Sequence, residues 1–231
     1  MRYGEIIPAR FLERPNRFIA YCETEWGERV VTHVKNTGRC RELLIPGVTV
    51  YLEKSRNPRR KTPFSLIAVD KAGLLINMDS QAPNKVLGEW LSAGGQLPGL
   101  PGPLSLIRPE TVYRDSRFDF YLEGPGQSAF VEVKGVTLEE DGAVYFPDAP
   151  TERGVKHLRE LVDAAKEGYL AYAVFVIQLS PARFFAPNDR THPAFGQALR
   201  QAAGEGVRLL AYDCQVSPEE IVLGQRVPIK L

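Results

Sequence analysis

The chain has 231 residues, 44% of them hydrophobic and 25% charged, with 29 Lys/Arg against 28 Asp/Glu for a net charge of +1. Such a composition excludes disordered and fibrous classes, and no apolar run approaches the ~18 residues of a membrane-spanning helix. Cys22, Cys40 and Cys214 form neither a CxxC pair nor a disulfide framework, and MRYGEIIPARF has no apolar core ahead of a cleavage site; both features suit a cytoplasmic protein.

Charge is spread unevenly: residues 1–82 carry 14 Lys/Arg and 9 Asp/Glu, residues 83–231 carry 15 and 19. This predicts two units, 1–82 and 83–231, the first attractive to polyanions and the second to cations. The first reads as strands at Phe18–Cys22, Arg29–Val34, Val48–Glu53, Phe64–Val69 and Leu74–Met78, separated by turns such as Trp26-Gly27, Pro46-Gly47, Asn57-Pro58 and Ala72-Gly73. Five short strands suit an oligonucleotide/oligosaccharide-binding (OB) β-barrel and, on pattern alone, nearly as well any small β-barrel. Pro83 to Leu91 then has the period of a short helix, and the Gly-, Pro- and Leu-rich stretch 92–109 reads as a connection. A β-hairpin is expected over 117–135. Thr151 caps a helix from Glu152 to about Glu167, closed by Gly168, with Val155, Leu158, Leu161, Val162 and Ala165 on its apolar face. LAYAVFVIQL, from Leu170, is a continuous apolar run and therefore a strand buried on both faces. A helix over Ala194 to Ala203 and a strand from Val207 to Tyr212 follow. Strands and helices in alternation imply an α/β domain with parallel members in a mixed sheet.

The hairpin is the most informative stretch. With its turn at Pro125-Gly126, Phe118 faces Val133, Phe120 faces Val131 and Leu122 faces Ala129; a slip of one residue would turn charges into the core. The other face carries Arg117 across from Lys134, Asp119 across from Glu132 and Tyr121 across from Phe130. Two carboxylates opposed in a sheet, about 5 Å apart at Cβ, repel. A divalent cation, Mg²⁺ or Mn²⁺, relieves that repulsion, because hard cations take carboxylate oxygens while keeping waters for a phosphate. Lys134 shares the face of Glu132, where its ammonium can orient a water or neutralise a phosphate. Metal, two acids and a lysine are the parts of metal-assisted phosphodiester hydrolysis. The same charges also read as a solvated face of weak surface pairs.

D…E-x-K on a hairpin, followed by helix and buried strand, resembles the PD-(D/E)XK nuclease superfamily. The blocks RPNRFIA (14–20), HVKNTGRCRELLIPG (33–47), DSQAPN (79–84), SRFDFYLE (116–123), VEVKGVTLE (131–139), FPDAPTERGVKHLREL (146–161) and AYDC (211–214) resemble the sugar fermentation stimulation protein A family over nearly the whole chain. The resemblance implies a DNA-binding protein with an OB-like N-terminal domain and a restriction-endonuclease-like C-terminal domain, linked to sugar utilisation and without an established reaction. Segment 92–109 matches little, and Arg114-Asp115 stand where the family often has Gly; neither departure touches Asp119, Glu132 or Lys134. By the same resemblance Glu110, expected on a helix or its end, is a further metal ligand or else a surface carboxylate.

Gln178 ends the buried strand on the side where such sheets hold ligands, and either steadies a metal-bound water or simply leaves the core. Arg153, Lys156 and His157 share a side of their helix opposite its apolar face, for phosphates or for solvent. Two basic clusters stand in the first unit. Lys35, Arg39 and Arg41 surround the turn Asn36-Thr37-Gly38; Lys54, Arg56, Arg59, Arg60 and Lys61 surround Asn57-Pro58. Such turns with adjacent cations cradle phosphates or are ordinary basic loops, and Tyr51 and Phe64 beside the second are stacking rings or core. The three histidines lack metal-ligand spacing, and P-loop, Rossmann and G-x-S-x-G motifs are absent, which removes zinc, kinase, dehydrogenase and serine-hydrolase classes. The expectation is sequence-independent DNA binding with a Mg²⁺ or Mn²⁺ site at Asp119 and Glu132. The alternative is a DNA-binding regulator that keeps the fold without turnover. Strandedness and oligomeric state stay open.

Overall fold

Alternation of inward and outward side chains builds the first unit. In the computed structural model, which describes residues 1–36 and 38–231, β1 (Ile6–Glu13), β2 (Ile19–Thr24), β3 (Arg29–Val34), β4 (Thr49–Lys54) and β5 (Phe64–Lys71) close into a barrel. The order β3-β2-β1-β4-β5 is antiparallel until β3 meets β5 in parallel, with Thr32 against Phe64 and Val34 against Leu66. Ala20, Cys22, Val30, Val34, Val50 and Leu52 point inward around Phe11 and Leu66. Strand β1 was not expected, because Pro8 interrupts its pattern. Pro8 precedes Ala9, where pairing with β2 begins, so its missing N–H removes no bond from that ladder. β6 (Leu74–Asn77), expected as a barrel strand, pairs only with β5, outside the closed ring.

The second unit contains α1 (Ala82–Ser92), β7 (Leu106–Tyr113), β8 (Ser116–Gly124), β9 (Gln127–Val136), β10 (Leu138–Glu140), β11 (Ala143–Phe146), α2 (Glu152–Lys166), β12 (Leu170–Ile177), β13 (Phe184–Pro187), α3 (Pro193–Gly204), β14 (Arg208–Val216) and β15 (Ile221–Arg226). Its main sheet has the order β15-β14-β12-β9-β8-β7, with β12 parallel to both β9 and β14 and the outer strands antiparallel. A small sheet, β10-β11-β13, lies apart from it. The end of the stretch expected as a connection is β7, so Glu110 stands on a strand and not on a helix. The run in β12 is divided between two cores. Ala171, Ala173, Phe175 and Ile177 pack with α2 and α3, while Tyr172, Val174 and Val176 pack with α1. Thr151 caps α2 as expected, its Oγ1 accepting the Gly154 N–H at 3.1 Å. One apolar core runs from Phe11 and Leu52 in the barrel to Phe175 and Phe195 beneath α2 and α3. No helix among the described residues is long and apolar enough to cross a membrane.

Candidate functional site

The hairpin holds the expected register from Gly124 opposite Gln127 to Phe120 opposite Val131, and there the ladder stops. Beyond it, the Val133 N–H donates to Asp119 Oδ2 at 2.7 Å instead of to a β8 carbonyl. The expected cross-strand pairs Phe118–Val133, Asp119–Glu132 and Arg117–Lys134 therefore do not form as ladder partners. Phe118 also leaves the face of Phe120. It joins Tyr113, Phe130 and His157 on the α2 side, whereas Phe120 stays with α1, its ring lying over Gly88. The switch of faces centres on Asp119, whose carboxylate reaches into the gap between the diverging strands.

Two further elements complete the cleft. Asn84, on α1, donates from Nδ2 to Asp119 Oδ1 at 2.7 Å. Glu132 is buried at 4% exposure and its Oε1 accepts from Lys134 Nζ at 2.5 Å and from His157 Nδ1 of α2. Arg153 Nε donates to His157 Nε2 at 3.3 Å, which leaves the ring proton on Nδ1 for Glu132. Glu132 Oε2 is buried with no hydrogen-bond partner among the described residues. Burial, and then the charge of Glu132, push the Asp119 carboxyl above its usual range. Burial works the same way on Glu132, but the His157 hydrogen bond and the Lys134 ammonium outweigh it and hold that carboxyl low. The pair thus consists of a well-compensated carboxylate and one that resists ionisation. Among the described residues no three His, Cys, Asp or Glu side chains gather as a metal-ligating set. A site of two carboxylates, with water and phosphate as further ligands, is what Mg²⁺ accepts, and the orphaned Glu132 oxygen fits it.

The other expected residues divide sharply. Gln178 is buried, and its Nε2 donates to Asn77 Oδ1 at 2.9 Å and to the Asp79 carbonyl at 3.0 Å. Its amide therefore ties the barrel to the sheet. Glu110 faces solvent and pairs with Arg117 at 3.2 Å. Lys35, expected on phosphate, is instead held by Glu53 and Asp79, each at 3.1 Å. Asn36 Oδ1 accepts the Gly38 N–H at 2.8 Å, while Thr37 of that turn lies outside the described residues. Arg39 and Arg41 are exposed, as are Arg56, Arg59 and Lys61, and Arg60 donates to Ser65 Oγ at 2.9 Å. Two site residues escaped the sequence. Asn84 had no signal beyond its place in the DSQAPN block. His157 was assigned to the outer side of α2, although it flanks Gly154, Leu158 and Leu161, which are buried with it.

Residues 12–78 match the family model described as the SfsA N-terminal OB domain, and residues 81–220 match the sugar fermentation stimulation protein RE domain. The chain is 55% identical over 231 residues to a sugar fermentation stimulation protein homolog of Desulfitobacterium hafniense strain Y51, covering 100% of this chain and 99% of that one. It is 53% identical to the homolog of Clostridium beijerinckii, covering 100% of both. Among solved structures, Pyrococcus furiosus SfsA in complex with Ca²⁺ superposes with a TM-score of 0.89 at 27% identity, over 100% of this chain and 98% of that one. The chain belongs to the sugar fermentation stimulation protein family.

Proposed function

We propose that this chain binds DNA without regard to sequence through its barrel and hydrolyses phosphodiester bonds at the cleft of Asp119, Glu132 and Lys134, in the cytoplasm. The observation that carries the proposal is the buried, unpartnered Glu132 Oε2 beside a second carboxylate, Asp119, that resists ionisation. A cation is the natural occupant of such a place. A relative of the same fold is described as a Ca²⁺ complex, which supports a hard-cation site. A Mg²⁺ or Mn²⁺ ion held by Asp119 and Glu132 would polarise a phosphate oxygen and lower the pKa of a bound water. The chain's own residues do the rest. His157 and Lys134 hold Oε1 of Glu132, which reserves Oε2 for the cation. Asn84 and the Val133 N–H fix the Asp119 carboxylate. Lys134, partly exposed at the cleft, supplies positive charge to a phosphate. Three buried free thiols suit a reducing compartment; burial pushes Cys22 to about 11 and Cys40 to about 12.

Calorimetry with Mg²⁺ or Mn²⁺, together with a nuclease assay on single-stranded, duplex and branched DNA, tests the proposal. Lys134→Ala should abolish cleavage while leaving DNA binding nearly intact. Glu132→Ala should also remove the stabilisation expected of a ligand that binds only the folded state. A wild type that binds no metal and cuts none of the substrates, or a Lys134→Ala variant that cuts as fast, ends the enzyme reading. The second reading, a non-catalytic DNA-binding regulator, is favoured by one observation: Lys134 and His157 already compensate Glu132 from within the chain.

A further inference from the structure

A groove of about 760 Å³ runs between the barrel and the segment that leads into α2, with Ala149 and Pro150 on its far wall. Arg14 organises its near wall. The guanidinium donates to the carbonyls of Arg17 and Asn36 at 2.7 Å, Arg39 at 2.8 Å and Gly38 at 2.9 Å, and so clamps the β1–β2 loop to the β3–β4 loop. The clamp has two consequences. Four carbonyls of the two loops are taken up as acceptors by Arg14. The positive charge of Arg14 is met by neutral dipoles, with no carboxylate paired to it among the described residues.

Three more arginines, Arg17, Arg39 and Arg41, line the same groove, are exposed, and make no ion pair among the described residues. Against four guanidiniums stand Glu13, which Arg29 already holds at 2.8 Å, Asp148, which packs against Gly38 from the other unit, and the half-buried Glu42 behind the groove's lining. The groove is therefore cationic with an apolar floor of Phe11 and Leu44. Beside Arg17 stands Phe18, 51% exposed, its N–H fixed by Asn16 Oδ1 at 2.9 Å. An exposed ring at the end of the β1–β2 loop, outside the groove's own lining but directly after Arg17, set next to unpaired arginines, is the pairing that single-stranded nucleic acid uses: cations follow the backbone, and the ring stacks on a base that a duplex would keep covered.

We infer that this groove is the track for a single DNA strand, with Arg17, Arg39 and Arg41 on phosphates and Phe18 on a base. The inference rests on the DNA-binding half of the function proposed above and not on cleavage. In the second basic cluster Lys54 is paired with Glu5, while Arg56, Arg59 and Lys61 are exposed and can extend the positive field beside the track.

Fluorescence anisotropy of the full chain in chelator tests it, with a labelled 20-nucleotide oligothymidylate and a 20-base-pair duplex as probes. The single strand should bind more tightly at equal salt. Arg17→Ala/Arg39→Ala/Arg41→Ala should weaken it by about tenfold or more, and the slope of log affinity on log salt should become shallower by roughly 2. Phe18→Ala should weaken it about fivefold or more with the slope unchanged. Each arginine is also replaced singly, with circular dichroism as a check on folding. If wild type binds DNA and the triple variant binds as well with the same slope, the groove is not the track, while the DNA reading stands. Preference for the duplex overturns the strand assignment. Displacement of the strand by micromolar inorganic phosphate or mononucleotide assigns the groove to a small anion instead. A wild type that binds neither probe overturns this inference together with the DNA reading.

Discussion

At Asp119 a side-chain carboxylate replaces a backbone carbonyl as the acceptor for the Val133 N–H, and the ladder of β8 and β9 opens at that point. The consequence is separable by mutation. Asp119→Asn keeps an oxygen for the Val133 N–H, offers its NH2 to an Asn84 amide turned to accept, and removes the repulsion with Glu132, so in chelator its stability should lie within about 1 kcal/mol of wild type. Asp119→Ala leaves that amide unpartnered and should cost about 1–3 kcal/mol. Urea denaturation of the two variants decides it; equal losses would mean that the charge, not the acceptor, holds the hairpin. One residue on, Phe120 is 5% exposed against α1, and Phe120→Ala should cost about 3–5 kcal/mol. A loss below about 1 kcal/mol would place its ring outside the core.

Strand β9 carries Glu132 and Lys134 on its α2 side and then runs to Gly135, where three elements meet. A Cβ at Gly135 would lie 2.6 Å from Gln178 Oε1 at the end of β12 and 2.8 Å from Pro83 Cγ at the start of α1. Both neighbours are held, Gln178 by Asn77 and Pro83 by the helix, so Gly135→Ala should destabilise by about 1–3 kcal/mol in a chemical melt. A neutral result would show that the junction is looser than its contacts. Elements with strong periodicity were legible in the sequence, namely β3, α2 with its Thr151 cap, and the doubly buried β12. Elements shaped by their neighbours were not. β1 contains Pro8, and β7 contains Pro109 and a left-handed Glu110 at φ 50°, which erase the strand pattern. Phe118 was assigned the face of Phe120 and lies on the other, because the break at Asp119 is a side-chain hydrogen bond that no alternation of residues encodes. His157 sits at the margin of an apolar stripe, where a polar residue reads as exposed until Glu132 is seen to meet it. Asp119, Glu132 and Lys134 were singled out because a conflict of like charges on one face is visible in the sequence itself, although the structure does not seat Asp119 and Glu132 as ladder partners.

Across the whole molecule, the barrel and the sheet domain are joined by buried polar contacts as well as by a shared apolar core. Gln178 at the end of β12 donates to Asn77 Oδ1 at 2.9 Å and to the Asp79 carbonyl at 3.0 Å, and Lys71 of β5 meets Glu139 of β10 at 2.5 Å; within the first unit Lys35 ties Glu53 of β4 to Asp79 ahead of α1, each at 3.1 Å. This seam makes acid the condition that should loosen the molecule. Burial alone would raise Glu53, but the Gly4 N–H and the Lys35 ammonium hold it below 4.5; Glu139 is held below 4.5 against burial by Lys71 and the Gly142 N–H. A carboxyl whose folded pKa is depressed binds its proton more readily in the unfolded chain. Its contribution is therefore complete above about 4.5 and is lost as pH falls through the folded value. Glu53→Gln should cost on the order of 1–2 kcal/mol at pH 7, as loss of a charge-assisted hydrogen bond does. Its stability should fall less steeply than wild type as pH drops below 4.5, and the two curves should converge in strong acid, where the wild-type carboxyl is also neutral. Glu139→Gln should behave alike. Urea titrations at intervals from pH 3 to 7 measure these slopes. Parallel curves for wild type and Glu53→Gln would show that Lys35 holds the Asp79 segment ahead of α1 to the barrel without depending on the charge of Glu53.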